Sequence, residues 1–166
     1  MKDLLDLGRP VDEARMQVHS VAELCGSAFI LWRRGDLGSA CGATFEIADV
    51  AKGMNVLCDA GKIGQVLINL LDNAVQNGSD AVNIRLSVAR TSDDRALVRI
   101  SDEGKGVPED ILPRVFEPFF TSRRGGMGLG LSIVKHIVDL HEGTVSIYNN
   151  LDGAGCSVEV TLPLVQ

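Results

Sequence analysis

One predicted helix, over residues 63–76, carries two asparagines a single turn apart. Its apolar residues follow the i, i+3, i+4, i+7 spacing of a buried stripe. The opposite, polar face consists of Gln65, Asn69, Asp72, Asn73 and Gln76. Asparagine is a poor helix former because its side chain competes for backbone hydrogen bonds. Its carbonyl oxygen, however, is a hard ligand that suits Mg²⁺, which also retains water and phosphate oxygens. On this helix alone, a metal and phosphate site and a plain polar surface have about equal weight.

The sequence DEGKGV (102–107) follows a predicted strand and offers a second candidate site. An ionised carboxylate can only accept hydrogen bonds, so Asp102 suits a ligand that presents an N–H donor. Gly104 and Gly106 would let the backbone approach that ligand without a clash from a Cβ atom. The same residues would also make an ordinary tight turn.

Residues 115–130 combine aromatic, basic and glycine residues, which is what a loop that closes over a ligand needs. The phenylalanines are expected to pack in the core and fix the base of the loop, while glycines let it open and close. The aromatic residues of this segment are Phe116, Phe119 and Phe120, and they are followed by the polar and basic residues Thr121, Arg123 and Arg124. GGMGLG (125–130) then opens a helix, whose unpaired N–H groups would bind phosphate. A dinucleotide-binding turn is rejected because no strand precedes these glycines.

The composition is that of a globular domain. The 166 residues are 45% hydrophobic and 23% charged, which suits one domain with a short appendage. The net charge of −6 argues against broad nucleic-acid binding. The sequence has no run of about 18 apolar residues and no signal peptide. The cysteines lack Cys-x-x-Cys spacing, so we expect small core residues in a reducing compartment rather than metal ligands.

Periodicity predicts an α/β (α+β) domain in which helices cover one face of a mixed sheet. The predicted helices cover 18–32, 63–76 and 129–140. The predicted strands cover 44–48, 54–58, 81–89, 96–101, 144–148 and 156–162. His141, at the C-terminus of the last helix, would balance the helix dipole.

The three glycine- and amide-rich signatures occur in a fixed order. They are GQVLINLLDNAVQN (64–77), DEGKGV (102–107) and GGMGLGLSIVKHIV (125–138), with VFEPFFTSR (115–123) between the last two. Together they resemble the N, G1, G2 and F boxes of the ATP-binding catalytic domain of two-component sensor histidine kinases, in the gyrase–chaperone–histidine kinase superfamily. The pattern is closest to the nitrogen-regulation-type kinases and covers about residues 20–163. It implies a two-layer Bergerat sandwich that binds Mg²⁺-ATP between the asparagine helix and an ATP lid.

The resemblance assigns roles to the candidate residues. It implies that Asp102 accepts a hydrogen bond from the exocyclic amine of adenine, where guanine has an acceptor. Asn73 would hold Mg²⁺, and Arg123 would neutralise phosphate charge. The catalytic residues implied are Asn69, Asn73 and Arg123. The nucleotide-binding residues implied are Asn73, Gln76, Asn77, Asp102, Gly104, Gly106, Val107, Phe120, Thr121, Gly126, Met127, Gly128, Leu129 and Gly130.

Position 69 separates phosphoryl transfer from hydrolysis. Related gyrase-type ATPases and chaperones have a glutamate there that activates water, whereas the amide of Asn69 cannot act as a general base. This difference favours transfer to a protein side chain. Three other positions depart from common kinase patterns: Gln76 replaces Lys or Arg, Arg123 replaces Lys, and Met127 replaces Thr or Ser.

None of His19, His136 and His141 lies in the sequence context of a phosphoacceptor histidine. The resemblance therefore implies that residues 1–17 are the end of a dimerisation-domain helix and a linker, and that 18–166 are the catalytic domain. The phosphoryl group would pass to a histidine of a dimerisation domain absent from this chain, and then to a response regulator receiver domain.

We further expect a homodimeric full-length kinase, a cytoplasmic location for this domain and no nucleic-acid partner. The sequence does not show whether the parent kinase is anchored in a membrane. Two alternatives stay open. One is a hydrolytic ATPase of the gyrase and mismatch-repair type, and the other is an ATP-sensing interaction module without transfer.

Overall fold

The computed structural model describes residues 15–39, 42–48, 51–77, 83–121, 128–151 and 155–165. These ranges contain seven strands, four α-helices and a 3-10 turn at Leu112–Arg114. The strands are β1 Gln17–Ser20, β2 Gly42–Ile47, β3 Asn55–Cys58, β4 Asn83–Arg90, β5 Arg95–Asp102, β6 Thr144–Asn149 and β7 Cys156–Pro163. The helices are α1 Val21–Arg33, α2 Asp36–Ser39, α3 Ala60–Asn77 and α4 Gly130–Leu140.

Five strands form the main sheet, in the order β2-β4-β5-β7-β6. The pair β2 and β4 is parallel, and the other neighbours are antiparallel. Strands β1 and β3 form a separate antiparallel pair. The predicted mixed sheet is therefore confirmed.

The two faces of the main sheet differ because successive side chains of a strand point in opposite directions. Leu86, Val98 and Val160 are buried on one face. On the other face, Arg99 Nε donates to Glu159 Oε1 at 2.7 Å, in a partly exposed pair. Helices thus cover a single face of the sheet, as predicted.

Helices α3 and α4 complete the core beside this apolar face. The buried residues of α3 follow the predicted stripe and include Leu67, Leu70 and Leu71. Helix α4 buries Val134 and Ile137 in the same cluster. Each such side chain contributes roughly 1.5–3 kcal/mol through its removal from water. The polar face of α3 is consequently held in one orientation by the packing of its apolar face.

His141 connects the two helices and does not act as a charged residue at a helix end. Its side chain is buried, and its Nδ1 lies 2.7 Å from the carbonyl oxygen of Ile137. Its Nε2 accepts from the backbone N–H of Asp59 at 3.1 Å. Because a carbonyl only accepts, Nδ1 carries the proton and the ring is neutral. The prediction that His141 balances the helix dipole is therefore wrong.

Asp59 in turn starts α3. Its Oδ1 accepts from the backbone N–H groups of Gly61 at 2.9 Å and Lys62 at 3.1 Å. These bonds satisfy two of the N–H groups that have no partner within a helix's first turn. The start of α3 is thereby tied to the end of α4.

The first predicted helix begins later than expected. Residues 17–20 form β1, which pairs with β3 from Gln17↔Cys58 to Ser20↔Asn55. Ser20 then caps α1, since its Oγ accepts from the N–H of Glu23 at 3.4 Å. The apolar spacing of residues 18–32 did not reveal this strand because its partner is distant in sequence. The division between residues 17 and 18 stays a prediction, and residues 1–14 lie outside the described part.

Within the described residues, no helix is both long enough and apolar enough to span a bilayer. Cys25, Cys58 and Cys156 are free thiols in buried positions, as expected for small core residues. Cys41 lies outside the described part of the chain.

Cys25 should make the fold sensitive to alkaline pH. Burial raises the pKa of its thiol from 9.0 to about 12, because a thiolate would lose its hydration. A folded-state pKa above the unfolded value gives stability that is present below pH 9 and is lost as the pH rises towards 12. Between pH 8 and about 10.5, we expect wild type to lose about 2 kcal/mol more unfolding free energy than Cys25→Ala. Urea denaturation in the presence of reductant measures these free energies. Equal losses of unfolding free energy in wild type and Cys25→Ala would contradict the prediction.

Candidate functional site

The predicted metal residue and the predicted phosphate-binding helix meet at one point. Asn73 lies near the end of α3, and a Cβ atom built on Gly130 would lie 3.7 Å from Asn73 Nδ2. Gly130 is the first residue of α4. Gln76 is exposed near the end of α3, and Asn77 is its last residue. The structure therefore places the asparagine face beside the start of α4.

The start of α4 is built to leave backbone N–H groups available. Leu129 occupies the N-cap position and is buried, and within the described part of the chain no side chain caps the first turn. The hydroxyl of Ser132 instead donates to the carbonyl of Leu129 at 2.9 Å. Uncapped N–H groups carry a partial positive charge that favours an anion. This turn can therefore hold phosphate oxygens beside Asn73.

Gly128 brings the two ends of the predicted lid together. It has a φ of +65°, and a Cβ atom there would lie 2.6 Å from the carbonyl carbon of Phe119 and 2.7 Å from the oxygen of Phe120. Only glycine fits so close to backbone. Residues 122–127 lie outside the described part, including the predicted site residues Arg123, Gly126 and Met127.

The phenylalanines at the base of the lid do not share one environment. Phe119 is 65% exposed and has a φ of +63°, so the expectation that it lies in the core is wrong. Phe116 and Phe120 are partly buried. The guanidinium of Arg114 lies 4.6 Å from the ring centroid of Phe120, within cation–π range. Thr121 is exposed.

Asp102, the last residue of β5, is a buried carboxylate that accepts hydrogen bonds on both oxygens. Its side chain is 3% exposed. Oδ1 accepts from the N–H of Gly104 at 2.8 Å and from that of Cys156 at 3.4 Å. Oδ2 accepts from the thiol of Cys156 at 3.2 Å. Burial and the neighbouring Asp102 raise the pKa of the Cys156 thiol to about 12, so it stays a neutral donor.

Asn149 and Asn150, at the end of β6, form the other wall around Asp102. Asn149 makes two 2.7 Å hydrogen bonds with the backbone of Val107, accepting from its N–H and donating to its carbonyl. Asn150 donates to the carbonyl of Asp102 at 3.0 Å and accepts from the hydroxyl of Ser157 at 2.6 Å. The residues from Asp102 to Val107 are thereby held by two neighbouring asparagines.

Asn149, Asn150, Gly155 and Cys156 are the residues that sequence reasoning missed. The signal available was the asparagine pair before a glycine-containing turn, but such residues are common in any hairpin. Their importance depends on the pairing of β5 with β7, which brings Ser101 opposite Ser157. The sequence gives no direct sign of that pairing.

One residue of the predicted polar face points elsewhere. Asp72 accepts a 2.9 Å hydrogen bond from the indole N–H of Trp32 on α1. Because Trp32 is buried, its indole N–H is shielded from water and needs an acceptor within the protein, which Asp72 supplies. Asp72 therefore faces α1 and helps to fix α3. Asn69 is partly buried and lines a groove of about 640 Å³ between α1 and α3.

The donor chemistry around Asn73 suits Mg²⁺ that arrives with a nucleotide. Among the described residues, no group of three or more His, Cys, Asp and Glu side chains could hold a metal ion. An amide oxygen supplemented by phosphate oxygens and water is, however, the kind of ligand set that Mg²⁺ accepts. Asn73, beside the first turn of α4, would provide the protein part of such a set.

Known proteins are similar to this chain in sequence. Residues 58–166 match the family described as histidine kinase-, DNA gyrase B-, and HSP90-like ATPase. Sporulation kinase E of Bacillus subtilis is 35% identical over 111 residues, which cover 67% of this chain and 15% of that protein. Sensor protein FixL of Bradyrhizobium diazoefficiens is 39% identical over 110 residues, which cover 65% of this chain and 22% of that protein. The histidine kinase AtoS of Escherichia coli is 29% identical over 164 residues, which cover 99% of this chain and 26% of that protein.

Solved structures share the fold. The catalytic domain of the histidine kinase ThkA superposes with a TM-score of 0.77 at 27% identity, covering 89% of this chain and 95% of that one. The mycobacterial sensor histidine kinase MprB superposes with a TM-score of 0.78 at 24% identity, covering 89% of this chain and 98% of that one. The chain spans between 15% and 26% of the three curated relatives, which are much longer. This chain belongs to the histidine kinase-, DNA gyrase B- and HSP90-like ATPase family, as an ATP-binding domain of the sensor histidine kinase type.

Proposed function

We propose that this domain binds Mg²⁺-ATP and transfers the γ-phosphoryl group to a histidine on a dimerisation domain, for relay to an aspartate of a response regulator. The observation that carries the proposal is the position of Asn73 beside the start of α4, where a Cβ atom built on Gly130 would lie 3.7 Å from Asn73 Nδ2. This position would join a metal ligand to a phosphate-binding helix end, in a chain that belongs to a family of ATPases. Phosphoryl transfer depends mainly on such positioning and on charge neutralisation.

Adenine is assigned to the wall formed by Asp102 and residues 104–107. The carboxylate would accept from the exocyclic amine of the base, in addition to its bonds with Gly104 and Cys156. Guanine has a carbonyl oxygen at that ring position, and two acceptors would then face each other. This arrangement predicts a preference for ATP over GTP.

The phosphates are assigned to the first turn of α4, and Asn73 would hold Mg²⁺ through its side-chain oxygen. The ion supplies charge neutralisation to the phosphates. The N–H groups after Leu129 would orient the phosphate oxygens, with Gly128 keeping the ends of the lid in contact. Arg123 and Gly126 are assigned to the same phosphates on the basis of sequence, together with Met127.

Asn69 favours transfer over hydrolysis because an amide cannot remove a proton from water. The three histidines of the chain are poor acceptors for a different reason. Both ring nitrogens of His141 make hydrogen bonds inside the protein. His19 and His136 are partly buried and have no acceptor sequence context. The acceptor is therefore assigned to another domain of the kinase.

The test uses γ-labelled ATP, Mg²⁺, this chain and a separate dimerisation domain from the same kinase. We expect acid-labile, base-stable label on the added domain, with none on this chain. Transfer should be slow, because the covalent tether that raises the effective concentration is missing. Stoichiometric label on His19 or His136 would overturn the assignment of the acceptor. Rapid phosphate release without label would indicate the hydrolytic alternative, and ATP binding without either would indicate an ATP-sensing module.

Asn73→Ala should separate metal binding from folding. The side chain lies on the polar face of α3, so its loss opens no apolar cavity. We expect at least a roughly tenfold loss of ATP affinity with Mg²⁺, little change in EDTA, and a melting temperature close to wild type. Gln65→Ala, on the same helix, is the control and should bind normally. A variant that melts far below wild type but transfers phosphate normally would show that Asn73 is structural.

A further inference from the structure

We propose that Asn149 is a positioning residue, which holds the loop over residues 103–107 in its nucleotide-binding shape before any nucleotide is present. This inference rests on the proposed function, because it assigns adenine to that loop. Asn149 does not need to touch the nucleotide. It acts through Val107, to which it is joined by two hydrogen bonds of 2.7 Å.

The two bonds make a clamp that needs a side chain with both an acceptor and a donor. The side-chain oxygen accepts from the N–H of Val107, while the side-chain nitrogen donates to the carbonyl of the same residue. An amide is the side chain that offers an acceptor and a donor in one plane. Forty-two positions separate the two residues in the chain. The clamp therefore joins the loop after β5 to the end of β6.

Gly106 gains a second role from this contact. Its φ is +72°, and a Cβ atom there would lie 2.8 Å from Asn149 Oδ1 and 3.4 Å from the carbonyl oxygen of Gly155. Sequence reasoning attributed Gly106 to a close approach of the ligand. The structure shows that a side chain at this position would also push against the asparagine, with no ligand present. Gly106 and Asn149 thus belong to one arrangement.

The neighbouring contacts explain why a local clamp matters for affinity. The other end of the loop is fixed, since Asp102 is held by Asn150 and by the N–H of Cys156. Residues 103–107 form neither helix nor strand. Without Asn149, the loop would be free to sample other shapes, and binding would have to select the competent one. Affinity then falls by the fraction of time that the loop spends in that shape.

The first arm of the test needs no nucleotide. Hydrogen exchange of the Val107 amide is measured by NMR in wild type and in Asn149→Ala, Gly106→Ala and Tyr148→Phe. We expect exchange at least roughly tenfold faster in the first two variants, because the acceptor of that N–H is removed or displaced. Tyr148→Phe is the matched control, since the hydroxyl of Tyr148 donates to Glu159 instead. Unchanged exchange in Asn149→Ala would overturn the clamp.

The second arm measures ATP and ADP affinity by calorimetry. Asn149→Ala should weaken both by the same factor, about tenfold, because the loop is assigned to the base that the two nucleotides share. The melting temperature should stay near that of wild type. The double variant Gly106→Ala with Asn149→Ala should lose less than the sum of the two single losses, since both substitutions disturb the same contact. Normal affinity in Asn149→Ala, or a loss that merely follows a large fall in melting temperature, would overturn the positioning role.

The two arms distinguish this inference from the proposed function. If wild type binds ATP and only the variants behave unexpectedly, the positioning role alone is wrong. If wild type binds no adenine nucleotide, the proposed function is wrong and the role of Asn149 in binding falls with it.

Discussion

Replacing Asp102 with asparagine is expected to weaken ATP binding by roughly tenfold to more than a hundredfold without unfolding the domain. A hydrogen bond to a charged group is worth about 1.5–3 kcal/mol, which corresponds to that range of affinity. In the folded protein both carboxylate oxygens already accept bonds, from Gly104 and Cys156. An asparagine keeps the size of the side chain and one acceptor oxygen. Its NH₂ group would however face the amine of adenine or the thiol of Cys156, so donors would oppose each other.

The measurement is calorimetry with ATP and GTP, together with thermal unfolding of each variant. Asp110→Asn is the matched control, because Asp110 is exposed and its replacement changes the net charge by the same amount. We expect the control to bind ATP as wild type does, and wild type to bind GTP poorly. Equal binding of ATP and GTP by wild type would show that Asp102 does not read the base.

Local patterns were sufficient to predict the elements that carry the site. The apolar stripe of α3 fixes which residues face the core, so the polar face that carries Asn69 and Asn73 follows from the sequence. Asp102 and the glycines after it also occur in a short, recognisable segment at the end of a strand. In both cases the residues that define the feature are near neighbours in the chain.

Contacts between distant segments were not predictable in the same way. The helical pattern places Asp72 on the polar face of α3, but Trp32, forty positions away, binds it from α1. The sequence relates His141 only to its own helix, although the backbone N–H of Asp59, eighty-two positions away, donates to its Nε2. A helical wheel or a motif contains no information about such partners. The packing of one element against another supplies it.

Gly155, the residue before β7, is a further case in which a contact between distant segments decides the role of a residue in the site. In the sequence, Gly155 lies between the last two predicted strands, 144–148 and 156–162, like glycines in many turns. The structure places it against Asp102, where it determines whether the carboxylate can occupy its pocket at all. A conformational glycine and a site-forming glycine look the same in one sequence.

Gly155→Ala is therefore expected to have a larger effect than any other substitution considered for this chain. A Cβ atom at this position would lie 1.9 Å from the carbonyl oxygen of Asp102 and 2.7 Å from its Oδ1. Backbone cannot move aside as the tip of a flexible side chain can, and the φ of +76° adds strain for any residue with a Cβ atom. Overpacking and this strain together suggest a loss of roughly 2–5 kcal/mol in unfolding free energy. Because the displaced group is Asp102 itself, ATP binding should be lost as well.

Gly64→Ala provides a control of opposite sign. Gly64 lies inside α3, and a Cβ atom there would meet no atom within 4 Å. Alanine favours the helix over glycine and restricts the unfolded chain, so this variant should gain about 0.5–1 kcal/mol. Thermal and urea unfolding of both variants, with ATP titration of the folded protein, makes the comparison. Similar melting temperatures for the two variants, or normal ATP affinity in Gly155→Ala, would show that the contact between Gly155 and Asp102 does not shape the base-binding wall.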